Sequence, residues 1–169
     1  FQSQWTYNAY QTLKDLDKYL ILIFLIQKTF KHYSDIFLVI SEDTLYNQKK
    51  FEIEKINLIE ISEELKIAKE TVRRKINELN KDGLLERSGK RIIVNTEAFA
   101  KQRPVKTVKY LSSFLSTISK VVSDQNSQII STHIPALEIE TFIRDNFSLI
   151  WKFYFRTQIP NLVDWRKYY

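Results

Sequence analysis

The first third of the chain carries the apolar spacing of a long helix. Side chains recur at alternating steps of three and four residues, the seam of a heptad repeat. They are Leu13, Leu16, Leu20, Ile23, Gln27 and Phe30. Because residues 21–26 are also all apolar, the middle of this helix is predicted to be buried on every side. We predict one helix over about residues 5–33, and two environments suit it equally: a dimer interface, or the centre of the core.

Residues 34–50 are less periodic, and a sharper pattern of short elements follows them. Phe51, Ile53 and Lys55 alternate with the acidic residues Glu52 and Glu54, which indicates a brief strand. Asn57 precedes Glu60 by three residues, which suits a helix N-cap with a capping-box partner. The buried face of this short helix is predicted to consist of Leu58, Ile61 and Leu65.

A second helix is predicted over residues 69–81. Val72, Ile76 and Leu79 are spaced to face inward. Gly83 suits the position just after the helix, where a left-handed residue closes it. Residues 84–87 and 91–94 are then predicted to pair as a β-hairpin around 88–90. Strand, helix, turn, helix and hairpin in this order are typical of a winged helix-turn-helix.

Two further helices are predicted after this unit. Pro104 suits the first turn of one, with an apolar face at Val105, Val108, Leu111, Leu115, Ile118 and Val122. Its serines, Ser112, Ser113, Ser116 and Ser119, fall mostly on the other side. The last helix is predicted over about 136–157, ended by Pro160. Its many aromatic residues favour a core or dimer interface over a ligand pocket or a base-stacking platform.

The predicted fold is therefore mostly α-helical, a winged helix-turn-helix with flanking helices and a small hairpin wing. We divide it into an N-terminal helical region (1–50), the winged helix-turn-helix unit (51–97) and a C-terminal helical region for dimerisation or core packing (98–169). Two glycines and three prolines among 169 residues are too few for a β-sandwich, a barrel or a Gly-rich phosphate loop.

The composition offers little for catalysis. Without cysteine the chain has no disulfide, thiol nucleophile or thiolate zinc site. His32 and His133 are too far apart to suggest a ligand pair, and are interpreted as structural or surface residues. The adjacent carboxylates Glu63 and Glu64, and the pair Glu138 and Glu140, suit solvated helix faces. We predict no metal, no cofactor and no enzymatic activity.

Charge and hydropathy constrain the partners. A surplus of 26 basic over 20 acidic residues gives a net charge of +6, which permits a polyanionic partner. The first 13 residues lack the pattern of a signal peptide. The longest apolar run, 19–26, is far shorter than the roughly 20 residues that span a bilayer. A cytoplasmic protein without membrane contact is expected.

The second helix of the unit is suited to DNA. Residues 66–75 contain five basic side chains and one acidic side chain. An α-helix fits the major groove, and its N-terminal residues contact base edges there. The hairpin adds Arg87, Lys90 and Arg91, which suit contacts to phosphates.

The segments INLIEISEEL (56–65), KETVRR (69–74) and LNKDGLL (79–85) resemble the winged helix of bacterial regulators of the catabolite-activator (Crp/Fnr) type. This resemblance implies that Lys69, Glu70 and Arg74 contact bases, and that Thr71 contacts the backbone. Arg73 falls on a variable position of that family and is a further candidate. Two residues depart from the family pattern: Lys66 replaces the turn glycine, and Ala68 replaces the serine cap. The order of flanking helices is similar to the MarR-type layout, in which outer helices build a dimer.

We predict a sequence-specific transcriptional regulator that binds double-stranded DNA as a homodimer, with a small-molecule effector left open. The base-contacting set is Lys69, Glu70, Arg73, Arg74 and Asn77, and the backbone-contacting set is Thr71, Lys75, Arg87, Lys90 and Arg91. Two alternatives remain: a winged helix that binds another protein, and a DNA-binding protein of the replication-initiator kind.

Overall fold

The computed structural model describes residues 13–36, 38–48, 50–53, 57–88, 91–95, 104–125 and 132–168. Within these ranges a mostly helical chain carries one small antiparallel sheet, as predicted. The helices are α1 (Leu16–Asp35), α2 (Glu42–Asn47), α3 (Leu58–Leu65), α4 (Lys69–Lys81), α5 (Val105–Gln125), α6 (Ala136–Asp145) and α7 (Phe147–Trp165), followed by a 3-10 turn at Arg166–Tyr168. The strands are β1 (Lys50–Ile53), β2 (Leu85–Ser88) and β3 (Arg91–Asn95).

Helix α1 is the central helix of the core. Every residue from 19 to 25 is buried, and the helix packs against α7, α4, β1 and α3. Of the two environments considered for it, the structure therefore shows the core helix. The predicted start near residue 5 is wrong for α1, because Lys14 has a φ of 50° and extended Asp15 caps the helix by accepting from the Lys18 backbone N–H at 3.0 Å. Residues 1–12 lie outside the described part of the chain.

The winged unit forms as predicted around a three-stranded sheet in the order β1-β3-β2. Val94 of β3 lies opposite Phe51 of β1 on one side and Leu85 of β2 on the other. All three side chains are buried. Asn57 caps α3 by accepting from the Ile59 backbone N–H at 3.0 Å.

The capping partner predicted for Asn57 has a different role. The Glu60 carboxylate pairs with the Lys28 ammonium of α1, so it ties α3 to the central helix. The capping-box interpretation is therefore replaced by a contact between elements.

The turn between α3 and α4 closes without a glycine. Lys66 itself takes the left-handed conformation, with a φ of 51°, and its backbone N–H donates to the Ser62 carbonyl. The Ser62 hydroxyl donates to the Ile67 carbonyl at 2.7 Å. These hydrogen bonds hold a lysine where glycine has the lower steric cost.

We expect Lys66→Gly to raise the free energy of unfolding by about 0.5 kcal/mol. The left-handed conformation costs a non-glycine residue ~1–2 kcal/mol, and the greater freedom of glycine in the unfolded chain offsets ~0.5–1 kcal/mol of that gain. Urea denaturation measures the change. Lys109→Gly, in the exposed middle of α5, is the control and should lower stability. A loss of stability in both variants contradicts the prediction.

Helix α4 has the bounds that the sequence predicts and ends in a Schellman motif. Gly83 has a φ of 73° and its N–H donates to the Asn80 carbonyl at 3.1 Å. The Leu84 N–H donates to the Leu79 carbonyl at 3.0 Å. The predicted role of Gly83 is confirmed, and the chain leaves the helix directly into the wing.

The predicted C-terminal helix is divided in two. The break lies at Asn146, and Pro160 lies inside α7 instead of ending it. An internal proline costs a helix ~3 kcal/mol, and buried residues on both sides of it, Ile159 and Val163, hold the helix against the core. Phe147, Trp151 and Phe155 are buried in α7, which packs on α1. These three aromatics are therefore part of the core.

The predicted orientation of α5 is wrong. Its buried side consists of Val108, Ser112, Ser116 and Ser119. The Ser116 hydroxyl donates to the Ile134 carbonyl at 2.8 Å, and the Ser119 hydroxyl accepts from the Ile134 N–H at 3.1 Å. Because serine side chains are small, the backbone segment that leads into α6 can lie close against α5. Much of the predicted apolar face is exposed, namely Val105, Leu115 and Ile118.

Candidate nucleic-acid interface

Helix α4 divides into a fixed side and an outward side. Val72, Ile76 and Leu79 are all 0% exposed and anchor it in the core. The outward side is termed the recognition face, and it comprises Lys69, Glu70, Thr71, Arg73, Arg74 and Asn77. Thr71 is half-buried and the other five are exposed. The structure therefore brings together, on one rigid helix, all five residues predicted to contact bases.

The two arginines of the recognition face pair with carboxylates of the same helix. Arg73 donates to Glu70 Oε1 from both Nε and Nη2, whereas the pair between Arg74 and Glu78 is long. The Arg73 Nε donates to Glu70 Oε1 at 3.0 Å, and the Arg74 Nε lies 3.8 Å from Glu78 Oε1. The Arg74 side chain is 65% exposed. Because exposed ion pairs contribute little stability, either guanidinium can exchange its carboxylate for a phosphate or a guanine edge at small cost.

The start of α4 leaves backbone donors without a capping side chain. Ala68 is the N-cap residue and makes no side-chain hydrogen bond to the helix. The N–H groups of a first turn point away from the helix and attract anions. The missing serine cap thus makes the first turn suited to a DNA phosphate.

The wing is coupled to α4 by an asparagine. The Asn80 Oδ1 accepts from the Arg87 backbone N–H at 3.2 Å, and Arg87 is exposed on β2. Of the other predicted wing contacts, Arg91 lies in β3, while Lys90 lies outside the described residues. Asn80 was missed by the sequence prediction, because a polar residue near a helix end carries no signal of a partner seven residues away.

Lys75 does not lie on the recognition face, which corrects its predicted contact to the DNA backbone. It is 9% exposed, because it lies three residues after Val72 and four before Leu79, on the inward side of α4. Its ammonium lies 2.5 Å from Asp15 Oδ2 and 3.1 Å from Glu78 Oε2. The positive charge of Lys75 is therefore paired with carboxylates of the protein itself.

Lys75 belongs to a cluster, termed the ion-pair clamp, that joins α1 to the recognition helix. The Lys18 ammonium of α1 lies 2.9 Å from Asp82 and 3.3 Å from Glu78. The clamp consists of Asp15, Lys18, Lys75, Glu78 and Asp82. Two ammonium groups and three carboxylates thus fix α4 against the central helix from behind.

The pKa values in the clamp favour its charged form. Burial raises the pKa of Asp15, but hydrogen bonds from the Lys75 side chain and the Lys18 backbone together lower it below its usual value of 3.8. The hydrogen bond from Lys75 lowers the pKa of Glu78. The hydrogen bonds to Asp15 and to Asp82 raise the pKa values of Lys75 and Lys18, respectively. The charged forms of Asp15, Lys18, Lys75 and Glu78 are therefore favoured at neutral pH.

A serine in the middle of α5 contacts a histidine, in an arrangement that is structural. The Ser116 Oγ lies 3.0 Å from His133 Nε2 and also donates to the Ile134 carbonyl. A hydroxyl has one proton to donate, and Ser116 donates it to the Ile134 carbonyl. In the described ranges, no three His, Cys, Asp or Glu side chains gather as a metal site, and no helix is long and apolar enough to cross a bilayer.

Comparison with known proteins supports the helix-turn-helix. Residues 52–97 match a DeoR-like helix-turn-helix domain. The match supports a DNA-binding, transcription-regulating role and points to a regulator rather than an enzyme. It does not support the resemblance to the catabolite-activator or MarR families. A helix, a tight turn and a second basic helix are common to many winged families, so these segments do not distinguish one family from another. No curated protein and no solved structure matches the chain.

Proposed function

We propose that this chain is a sequence-specific transcriptional regulator that places α4 in the major groove of double-stranded DNA. The observation that carries the proposal is the recognition face, an exposed basic surface on a helix whose opposite side is fixed by core packing and the ion-pair clamp. Rigid positioning matters because a base contact discriminates only when its geometry is held.

The roles within this interface follow from side-chain chemistry. Arginine suits a guanine edge, asparagine suits adenine, and a carboxylate accepts from cytosine. Lys69, Glu70, Arg73, Arg74 and Asn77 are accordingly assigned to bases. Contacts to phosphate are assigned to Thr71 at the start of α4 and to Arg87 and Arg91 on the wing strands. The assignment of Lys90 to phosphate rests on the sequence alone. Lys75 is left out of the interface.

A salt titration tests this function. Fluorescence anisotropy of a labelled mixed-sequence duplex is measured against protein concentration at several salt concentrations. We expect micromolar binding that weakens steeply with salt, since each neutralised phosphate releases counterions. Selection of a preferred site from a random library then follows. No binding even at low salt would overturn the proposal and direct attention to a protein partner for the same face.

We expect Arg87→Ala to weaken binding to every DNA sequence alike, with the salt slope reduced by about one. Arg87 contributes charge from the wing, where it reaches phosphates instead of base edges. Anisotropy on the selected site and on a scrambled duplex measures both effects. Glu86→Gln, the neighbouring position on β2, is the control for damage to the wing. A loss confined to the selected site contradicts the phosphate assignment.

We also propose that the protein dimerises through the outer side of α5. Leu115, Ile118 and Val121 are exposed there, and contiguous exposed apolar surface marks an association site. We propose a second copy of the chain as the occupant of this surface, because one recognition helix reads few base pairs and two half-sites add specificity.

We expect Ile118→Glu to convert the dimer into a monomer. Ile118 is 43% exposed in the single chain, so a charge there is tolerated by the fold but not by an apolar interface. Sedimentation velocity measures the mass. Ser113→Glu, which adds the same charge on another side of α5, should leave the dimer intact. A wild-type chain that sediments as a monomer at high concentration would contradict dimerisation.

A further inference from the structure

An apolar cavity lies between the winged unit and the flanking helices. Its volume is about 80 Å³, and its lining comes from α1, α2, the sheet and α7. Side chains from these elements include Ile23, Leu45, Phe51, Val94 and Trp151. The DNA-binding unit and the helical scaffold thus share one internal surface.

The lining determines what the cavity can hold. None of the described side chains that line it carries a charge. Four of the lining side chains have a polar group, namely Tyr19, Thr29, Tyr46 and Trp151, and the Thr29 hydroxyl donates to the Leu25 carbonyl at 2.9 Å. Water needs two to four polar partners in a protein interior, whereas apolar cavities stay dry and take up apolar molecules. An apolar cavity of ~150 Å³ binds benzene or xenon, so this smaller one suits a molecule no larger than a single ring.

The position of the cavity connects its occupant to the wing. Phe51 and Val94 are opposite one another in the β1–β3 pair, and Val94 also lies opposite Leu85 of β2. An occupant packed between this pair and Trp151 therefore contacts β3, the second strand of the wing hairpin. Because α7 packs on α1, the other wall of the cavity is held by the core.

We propose that this cavity is a binding site for a small, neutral, apolar molecule, and that its occupancy changes the affinity for DNA. The effect on DNA affinity rests on the proposed function, whereas the binding site itself does not. Coupling is reciprocal, so DNA changes the affinity for the molecule by the same factor.

The site is tested first without DNA, by thermal unfolding with benzene and with benzoate as the charged counterpart. A ligand at ten times its Kd multiplies the folding equilibrium constant by about 11, which corresponds to a rise in Tm of about 3–5 °C for a chain of this size. Benzene is expected to give this rise, and benzoate none. No shift with benzene, or equal shifts with both, would overturn the site.

Two variants that fill the cavity locate the binding. Leu45→Phe and Ile26→Phe add volume from partly buried positions in the lining, and each should abolish the benzene shift. Leu162→Phe makes the same kind of change at a partly buried position outside the lining and should retain it. If either folded filling variant keeps the full shift, benzene binds elsewhere and the assignment is wrong.

Coupling is tested by repeating the DNA titration with saturating benzene. A change in affinity of five-fold or more in the wild type, absent in the filled variants, is expected. If benzene still raises the Tm but leaves the affinity for DNA unchanged, the cavity is a binding site that is not coupled to DNA binding. A protein that binds no DNA at all would overturn the proposed function, while the thermal shifts would still decide the site.

Discussion

Replacing Arg74 by alanine is expected to weaken binding to the selected DNA site by about 1–3 kcal/mol, the range of one good bidentate base contact. The Arg74 side chain is 65% exposed and its ion pair with Glu78 is long, at 3.8 Å. Little holds the guanidinium away from the groove. Because an exposed pair of this kind contributes little stability, the variant should unfold at the wild-type temperature.

Anisotropy on the selected site and on a scrambled duplex separates the two parts of the binding energy. We expect Arg74→Ala to lose affinity mainly on the selected site and Arg87→Ala to lose it on both. Arg156→Ala, which removes an exposed arginine of α7, should change neither. Equal losses on the two duplexes for Arg74→Ala would assign this residue to phosphate and leave the base contacts to its neighbours.

The parts of the fold predicted correctly from sequence are those set by nearby residues. Helix α4 has its predicted bounds because its inward spacing and the glycine that ends it lie within one short segment. The Asn57 cap is equally local. The hairpin forms where it is predicted, but its register differs by one residue, because Ser88 pairs with Arg91 instead of lying in the turn. The turn formed with lysine at position 66, because hydrogen bonds from Ser62 and its neighbours stabilise it without glycine. Winged units resemble one another for the same reason, so the match over residues 52–97 supports a helix-turn-helix but not the resemblance to the catabolite-activator type.

The parts predicted incorrectly depend on contacts between distant segments. Apolar spacing gave the wrong buried side for α5, because serines that hydrogen-bond Ile134 pack more closely there than larger side chains. Pro160 does not end α7, because packing on the core outweighs the local cost. In the interface, the exposed positions of α4 followed from periodicity. The buried ion pair of Lys75 could not be predicted in this way, because its partner Asp15 lies 60 residues away in the sequence.

The ion-pair clamp gives the second large prediction, a loss of stability of about 1–3 kcal/mol for Lys75→Ala. Hydrogen bonds to charged groups contribute ~1.5–3 kcal/mol each, and the Lys75 side chain is only 11% exposed. In this variant Asp15 loses its ion pair with the Lys75 ammonium, whereas Glu78 retains its ion pair with Lys18. Chemical denaturation at pH 7 measures the change. Lys109→Ala, at an exposed lysine of α5, should stay within about 0.5 kcal/mol of the wild type.

The pH dependence of this difference distinguishes a charge effect from lost packing. The pKa values of Asp15 and Glu78 lie below their usual 3.8 and 4.5 in the folded protein. Their contribution is therefore complete above those usual values and is lost as the pH falls through the folded ones. The raised pKa of Lys75 keeps its contribution complete below 10.5. The stability gap between wild type and Lys75→Ala should hold from about pH 5 to pH 10 and narrow towards pH 2. A gap of constant size down to pH 2 would mean that Lys75 acts through its buried aliphatic stem, and that charge does not hold the recognition helix on α1.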